Sequence, residues 1–191
     1  MVFAHPDDQS DDGRTWRQQL VDYNTSPGSN PLRLLPAYRL YTPHAYGALV
    51  AAYGSDSVFV LSAGWGLIRA DFLTPYYDIT FSPQSERFTQ RTRRQRFVDL
   101  NQLPATSCEP TVFFGGTFYR PLFASLTAAC VGPRVVVFNS QAAEDLPGLR
   151  YVRYETSTRT NWHYEAVARF VSREGPLWAD VADAIGDRSF A

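Results

Sequence analysis

Lysine is absent from the 191-residue chain: all 18 basic side chains are arginine. That excludes chemistry needing an ε-amine, namely a phosphate-loop lysine, a pyridoxal Schiff base or a lysine-type bifunctional glycosylase-lyase. Cysteine is scarce, with Cys108 and Cys130 alone, and histidine stops at His5, His44 and His163. Neither set has the spacing of a zinc site, so no metal and no cofactor is expected. No run approaches the ~18 apolar residues of a membrane helix, so no membrane partner is expected. The start, Met1-Val2-Phe3-Ala4-His5-Pro6-Asp7-Asp8, has no basic region and turns acidic at once, unlike a signal peptide. Two isolated thiols without such a signal point to a reduced, cytoplasmic protein.

What is present fits one globular domain over residues 1–191. The apolar share is 45%, which argues against disorder, and the aromatic share is high at 15%. Acidic residues number 19, for a formal charge of −1. A chain of ~150 residues or more buries about two-thirds of its unfolded surface, so a real core is expected.

Hydrophobic patterning predicts alternating strands and helices. Residues 58–62, 111–114 and 134–138 are short, β-rich and apolar on both faces, as buried parallel strands are. Residues 151–154 predict a further strand, and residues 2–4 a short first one. Helices are predicted over 14–23, with Trp16, Leu20 and Tyr23 on one face, over 118–130, and over 176–185. Thr42 and Asn161 are the expected caps of two more, the first opening on Pro43 and closed by Gly54. This pattern predicts an α/β fold in three layers around a central, mainly parallel sheet. Ligands of such sheets bind beyond the carboxyl ends of the strands.

Five loops qualify. In Ser62-Ala63-Gly64-Trp65-Gly66-Leu67-Ile68, two glycines let backbone approach a ligand, and Trp65 offers a stacking face beside Ser62; a tight turn anchored by tryptophan reads equally well. Pro75-Tyr76-Tyr77-Asp78 supplies aromatic faces and a carboxylate, the materials of a pocket for an extruded nucleobase. Cleaving an N-glycosidic bond needs such a carboxylate to support the sugar cation and its attacking water. Asp78 fits, although a loop aspartate commonly caps a turn. Asp7 and Asp8, after His5-Pro6, compete for the role. Gly115-Gly116-Thr117-Phe118-Tyr119 joins a strand to a predicted helix, where N–H groups favour an anion; its spacing names no nucleotide. In Asn161-Trp162-His163-Tyr164-Glu165, Asn161 suits a base edge and His163 a developing negative charge on a leaving base. Finally, Arg87, Arg91, Arg93, Arg94 and Arg96 crowd ten positions. On a helix Arg87, Arg91 and Arg94 would share one face and track phosphates.

The run Val60-Leu61-Ser62-Ala63-Gly64-Trp65-Gly66-Leu67-Ile68, followed by Pro75-Tyr76-Tyr77-Asp78 and Gly115-Gly116 with Tyr119, resembles motifs of the YaaA peroxide-stress family. Several such domains are associated with the uracil-DNA glycosylase-like superfamily. The resemblance covers about residues 58–125. It implies a uracil-DNA glycosylase-like α/β fold and a DNA partner. The superfamily's water-activating and His-Pro-Ser motifs have no clear copy here, which implies a base other than uracil. Prokaryotic anti-phage glycosylases of bulky, glucosylated bases are the nearer analogy. The reading is a monofunctional DNA glycosylase that excises a modified base from phage DNA and leaves an abasic site. In it Asp78, Asp8 and His163 are catalytic, and Ser62, Trp65, Tyr76, Tyr77 and Asn161 contact the base. Gly115, Gly116, Tyr119, Arg87, Arg91 and Arg94 hold phosphates. Two alternatives stand beside it: a non-catalytic DNA-binding module of the YaaA type, and a nucleoside hydrolase or deoxyribosyltransferase.

Overall fold

Thr15 opens the first helix with a reciprocal cap. Its hydroxyl accepts from the Gln18 N–H at 3.1 Å, and the Gln18 side chain accepts from the Thr15 N–H at 2.9 Å. The computed structural model that shows this describes residues 5–26, 30–40, 44–92, 94–95, 97–140, 146–158 and 160–186. The expected strand over residues 2–4, the cap at Thr42 with the helix opening at Pro43, and Arg93 and Arg96 lie outside them.

The elements run α1 (Trp16–Thr25), β1 (Leu35–Pro36), α2 (Ala37–Leu40), α3 (His44–Tyr53), β2 (Phe59–Ser62), β3 (Gly66–Arg69), β4 (Leu73–Thr74), β5 (Leu100–Asn101) and β6 (Thr111–Phe114). A 3-10 turn (Thr117–Tyr119) then leads into α4 (Arg120–Leu126), β7 (Arg134–Phe138), β8 (Arg150–Arg153), α5 (Trp162–Ser172) and α6 (Pro176–Ile185). The fold is α/β. None of its helices among the described residues is long and apolar enough to cross a membrane.

The parallel part of the expected sheet is β6-β7-β8. Its register pairs Val112 with Val135 and Val137 with Val152. Val135, Val136 and Val137 are fully buried because both faces are covered. On one face Val135 and Val137 pack with Trp162 and Ala166 of α5 and Leu177 and Val181 of α6. On the other Val136 packs with Phe113 and Phe123 of α4, whose rings stack at 4.9 Å. Each such side chain contributes roughly 1.5–3 kcal/mol of burial.

The other half departs from expectation. Residues 58–62 do not form a parallel strand. β2 turns back at Ser62 and pairs antiparallel with β3, Ser62 opposite Gly66. β3 in turn pairs in parallel with β5, and a separate two-stranded ribbon joins β1 to β4. The described hydrogen bonding therefore makes three small sheets rather than one central sheet. Gly66 permits the sharp return: its φ is +97°, and a Cβ there would collide with the Leu100 backbone. In α1 the buried positions are Arg17 and Leu20, while Trp16 is exposed. The reason lies in what Arg17 grips.

Helices α3 and α5 link the two halves through aromatic contacts. Tyr46 meets Tyr164 edge-on at 6.2 Å, and Tyr53 lies 6.0 Å from Phe170. The helix predicted over residues 118–130 is shorter, as Leu126 ends α4 and residues 127–129 turn.

Candidate functional site

The turn between β2 and β3 is built by one hydroxyl and two guanidiniums. Ser62 Oγ accepts from the N–H groups of Gly64 at 3.2 Å and Trp65 at 3.0 Å. A hydroxyl has two acceptor positions and one proton. With both positions filled, the Ser62 proton is directed to its remaining neighbour, the Tyr77 oxygen 2.5 Å away. The carbonyls of the turn point the other way. Arg17 donates to Trp65 O at 2.9 Å and Gly64 O at 2.7 Å, and Arg91 donates to Ala63 O at 2.9 Å. Both arginines are buried, 3% and 7% exposed. Each has its own carboxylate: Asp7 accepts from Arg17 at 2.7 Å, and Asp99 takes a forked pair from Arg91 at 2.6 and 2.7 Å. Arg91 also lies 4.2 Å from the centre of the Phe97 ring.

This decides several expectations. Arg91 is not a surface group on an arginine helix. Residues 80–90 carry turns enclosed by a bridge between Thr80 and Gln90, and Arg91 is drawn inward by Asp99 and Ala63. Arg87 and Arg94 are exposed and make no ion pair among the described residues. Trp65 is a core residue, 4% exposed, edge-on to Tyr77 at 5.6 Å and covered by Arg17 at 5.6 Å. It presents no open face for stacking. Tyr76, by contrast, is 73% exposed.

The three competing carboxylates separate as well. Asp7 is spent on Arg17 and on the Val98 N–H at 3.2 Å. Asp8 closes a turn by accepting from the His5 N–H at 3.3 Å. Asp78 is exposed and has no hydrogen-bond or ion-pair partner among the described residues.

Phenols from α3, the 3-10 turn and α5 lie near Tyr77. The Tyr46 hydroxyl is desolvated and hydrogen-bonds Tyr164; Tyr164, Tyr119 and Tyr77 all lie within electrostatic reach. Burial foremost, and then these phenols, push the Tyr46 hydroxyl well above the ordinary tyrosine range, so it stays a proton donor. Burial also raises Tyr164. His163 stands beside Tyr164, ring centres 4.0 Å apart. Its half-buried imidazole is pushed below the usual histidine value by burial, and its Nδ1 is buried without a hydrogen-bond partner among the described residues. The imidazole is therefore neutral at neutral pH. Asn161 sits at the cap position in the left-handed region, φ 61°, but its side chain makes no capping bond and is exposed.

Gly115 has a packing role, whereas a Cβ on Gly116 would meet open space. A Cβ on Gly115 would strike the Phe113 ring. The helix that follows is only a seven-residue segment, and the first side chain of α4, Arg120, is buried against Phe138 rather than turned outward. Tyr119 meets Phe81 edge-on at 4.9 Å. Beside this pair opens a cavity of about 210 Å³ lined by Phe81, Pro83, Gln90, Arg91, Thr92 and Phe118. It is smaller than the ~300–1,000 Å³ of drug-sized sites, and suits one planar ring. A second cavity, about 420 Å³, lies between the end of β8 and helices α5 and α6, lined among others by Arg153, Arg169 and Asp180. None of the expected residues lines it.

Sequence reasoning missed Arg17, Tyr46, Phe81, Asp99 and Arg120. Only Tyr46 carried a signal, as an aromatic on a predicted helix. Comparison with protein-family models, with curated proteins and with solved structures finds no match to this chain.

Proposed function

We propose that the chain is an N-glycosidic-bond hydrolase that releases a modified nucleobase from DNA. The observation that carries this reading is the sorting of the three carboxylates. Of the three, Asp78 alone lacks a partner among the described residues, and it follows directly on Tyr77, whose hydroxyl bonds Ser62 and lies near the phenols of Tyr46, Tyr119 and Tyr164. An unpaired carboxylate is available to stabilise an oxocarbenium-like sugar and to orient water. Water attacks C1′, the C1′–N bond breaks, and its electron pair leaves with the base. The departing base takes its proton from water, and neutral His163 can hydrogen-bond the developing negative charge without giving its own proton up. The resemblance of residues 58–125 to YaaA-like and uracil-DNA glycosylase-like domains supports the same chemistry. The phage-DNA substrate follows from the analogy to glycosylases of bulky bases.

The test is mass analysis of bases released from several modified phage genomes. Free modified base and alkali-labile abasic sites are expected, with Asp78→Asn losing both. Intact DNA across the whole panel rejects the reading. Burial of Arg91 against Asp99 favours a second reading, a hydrolase of free nucleosides, because it removes the middle of the expected phosphate stripe. That reading requires turnover of free nucleosides with Arg87 and Arg94 dispensable.

A further inference from the structure

A half-buried hydroxyl with nowhere to send its proton is unusual, because it gives up water without recovering a bond. The first turn of α5 holds one. Tyr46 and Tyr164 share a hydrogen bond, their rings meeting edge-on at 6.2 Å. The Tyr46 hydroxyl is the more desolvated of the two and keeps its proton, so it donates and the Tyr164 oxygen accepts. The Tyr164 proton then has no acceptor among the described residues. The adjacent side chain is in a similar state. The His163 ring lies 4.0 Å from that of Tyr164, and its Nδ1 is buried without a hydrogen-bond partner among the described residues. Two unspent polar groups on neighbouring residues mark a place that something else completes.

The donor's chemistry narrows what that is. A phenol is neutral, and the bond it accepts from Tyr46 polarises it, since hydrogen bonds in a chain strengthen one another. It suits an acceptor that gains negative charge during a reaction better than a permanent anion, for which a cation serves. A leaving nucleobase is such an acceptor. As the C1′–N bond breaks, the electron pair spreads over the ring nitrogens and exocyclic oxygens of the base. We infer that Tyr164 is a further catalytic residue, its hydroxyl donating a hydrogen bond to the leaving base, and that Tyr46 is the positioning residue that aims it. Tyr164 keeps its proton throughout, and the base is protonated by water. This deepens the glycosidase reading and rests on it for the identity of the ligand.

The test has two arms. In the first, the full chain carries fluorotyrosine at position 164 alone, and its fluorine resonance is followed by NMR. The probes are the four deoxynucleosides and hydroxymethylated forms of the two pyrimidines. At least one should shift the resonance saturably. Without ligand, Tyr46→Phe should move the ionisation of this phenol to higher pH, because the bond that steadies its phenolate is gone. In the second arm, single-turnover base release is measured on modified phage genomes. Tyr164→Phe should slow it roughly a hundredfold, with KM within about twofold of wild type, and Tyr46→Phe should slow it less. No shift with any probe, an unmoved ionisation in Tyr46→Phe, or release indifferent to Tyr164→Phe overturns the inference. The two claims fail separately. A ligand-induced shift without release from any genome leaves Tyr164 as a donor to a bound base and removes the glycosidase. Release that ignores Tyr164→Phe leaves the glycosidase and removes this role.

Discussion

The Ser62 hydroxyl proton is committed to the Tyr77 oxygen, because both acceptor positions on Ser62 are occupied by backbone N–H groups of its own turn. This makes the pair asymmetric. Ser62→Ala strands two buried N–H groups, whereas Tyr77→Phe strands one hydroxyl proton. Leaving a buried polar group unsatisfied costs ~1–3 kcal/mol. Ser62→Ala should therefore be the more destabilising by about 1 kcal/mol or more in urea denaturation. Equal losses would show that the serine does not organise the turn.

Removing one partner of a buried ion pair costs ~3–5 kcal/mol, because the other charge stays buried. Arg91→Met and Asp99→Asn should each lower the denaturation midpoint steeply. Arg87→Ala and Arg94→Ala, on the exposed part of the same segment, should stay within ~0.5 kcal/mol of wild type. Thermal melts of the four variants check the contrast.

Gly66 and Gly54 offer a matched pair. Both have positive φ, +97° and +81°, but a Cβ on Gly54 meets open space while one on Gly66 meets Leu100. Gly54→Ala should cost the backbone penalty alone, ~1–2 kcal/mol. Gly66→Ala should cost more, or leave no cooperative unfolding transition. Guanidinium titration of both reads the difference.

The half-buried imidazole of His163 gives a pH dependence of definite sign. Its pKa is depressed in the folded protein by burial, from an unfolded value of 6.5. Above that value neither state is protonated and the residue is silent. As pH falls through it the unfolded chain takes up a proton that the folded one refuses, so stability declines until the lower folded pKa is reached. His163→Phe should flatten that part of the stability–pH curve. An NMR titration should find this ring still neutral where an unhindered histidine is half protonated.

Much of this architecture was written in local pattern. Helices α5 and α6 follow from the spacing of their apolar residues, and strands β6 and β7 from short continuous β-rich apolar runs suited to a sheet covered on both faces. The two-residue strands β1, β4 and β5 are too short to carry any period. Gly64 and Gly66 read equally as a ligand loop and as a tight turn, and the structure shows the turn, with Gly66 serving the close approach of Leu100. Helical spacing of Arg87, Arg91 and Arg94 misled for a different reason: the partners of Arg91 are Asp99 and the carbonyl of Ala63, and local spacing does not register such contacts. The choice among Asp7, Asp8 and Asp78 likewise needed three dimensions, since Asp7 is disqualified by Arg17 ten residues on.

The fork of Arg17 spans 47 and 48 residues to Gly64 and Trp65. Helix α1 therefore acts as a splint on a distant bend, and the two are expected to fail as one unit. Trimming the chain through α1, or grafting a rigid fusion onto it, would be felt first as loosening at the hairpin tip rather than as fraying near the cut. Hydrogen exchange at the Trp65 amide would register that loosening before any spectroscopic sign of unfolding.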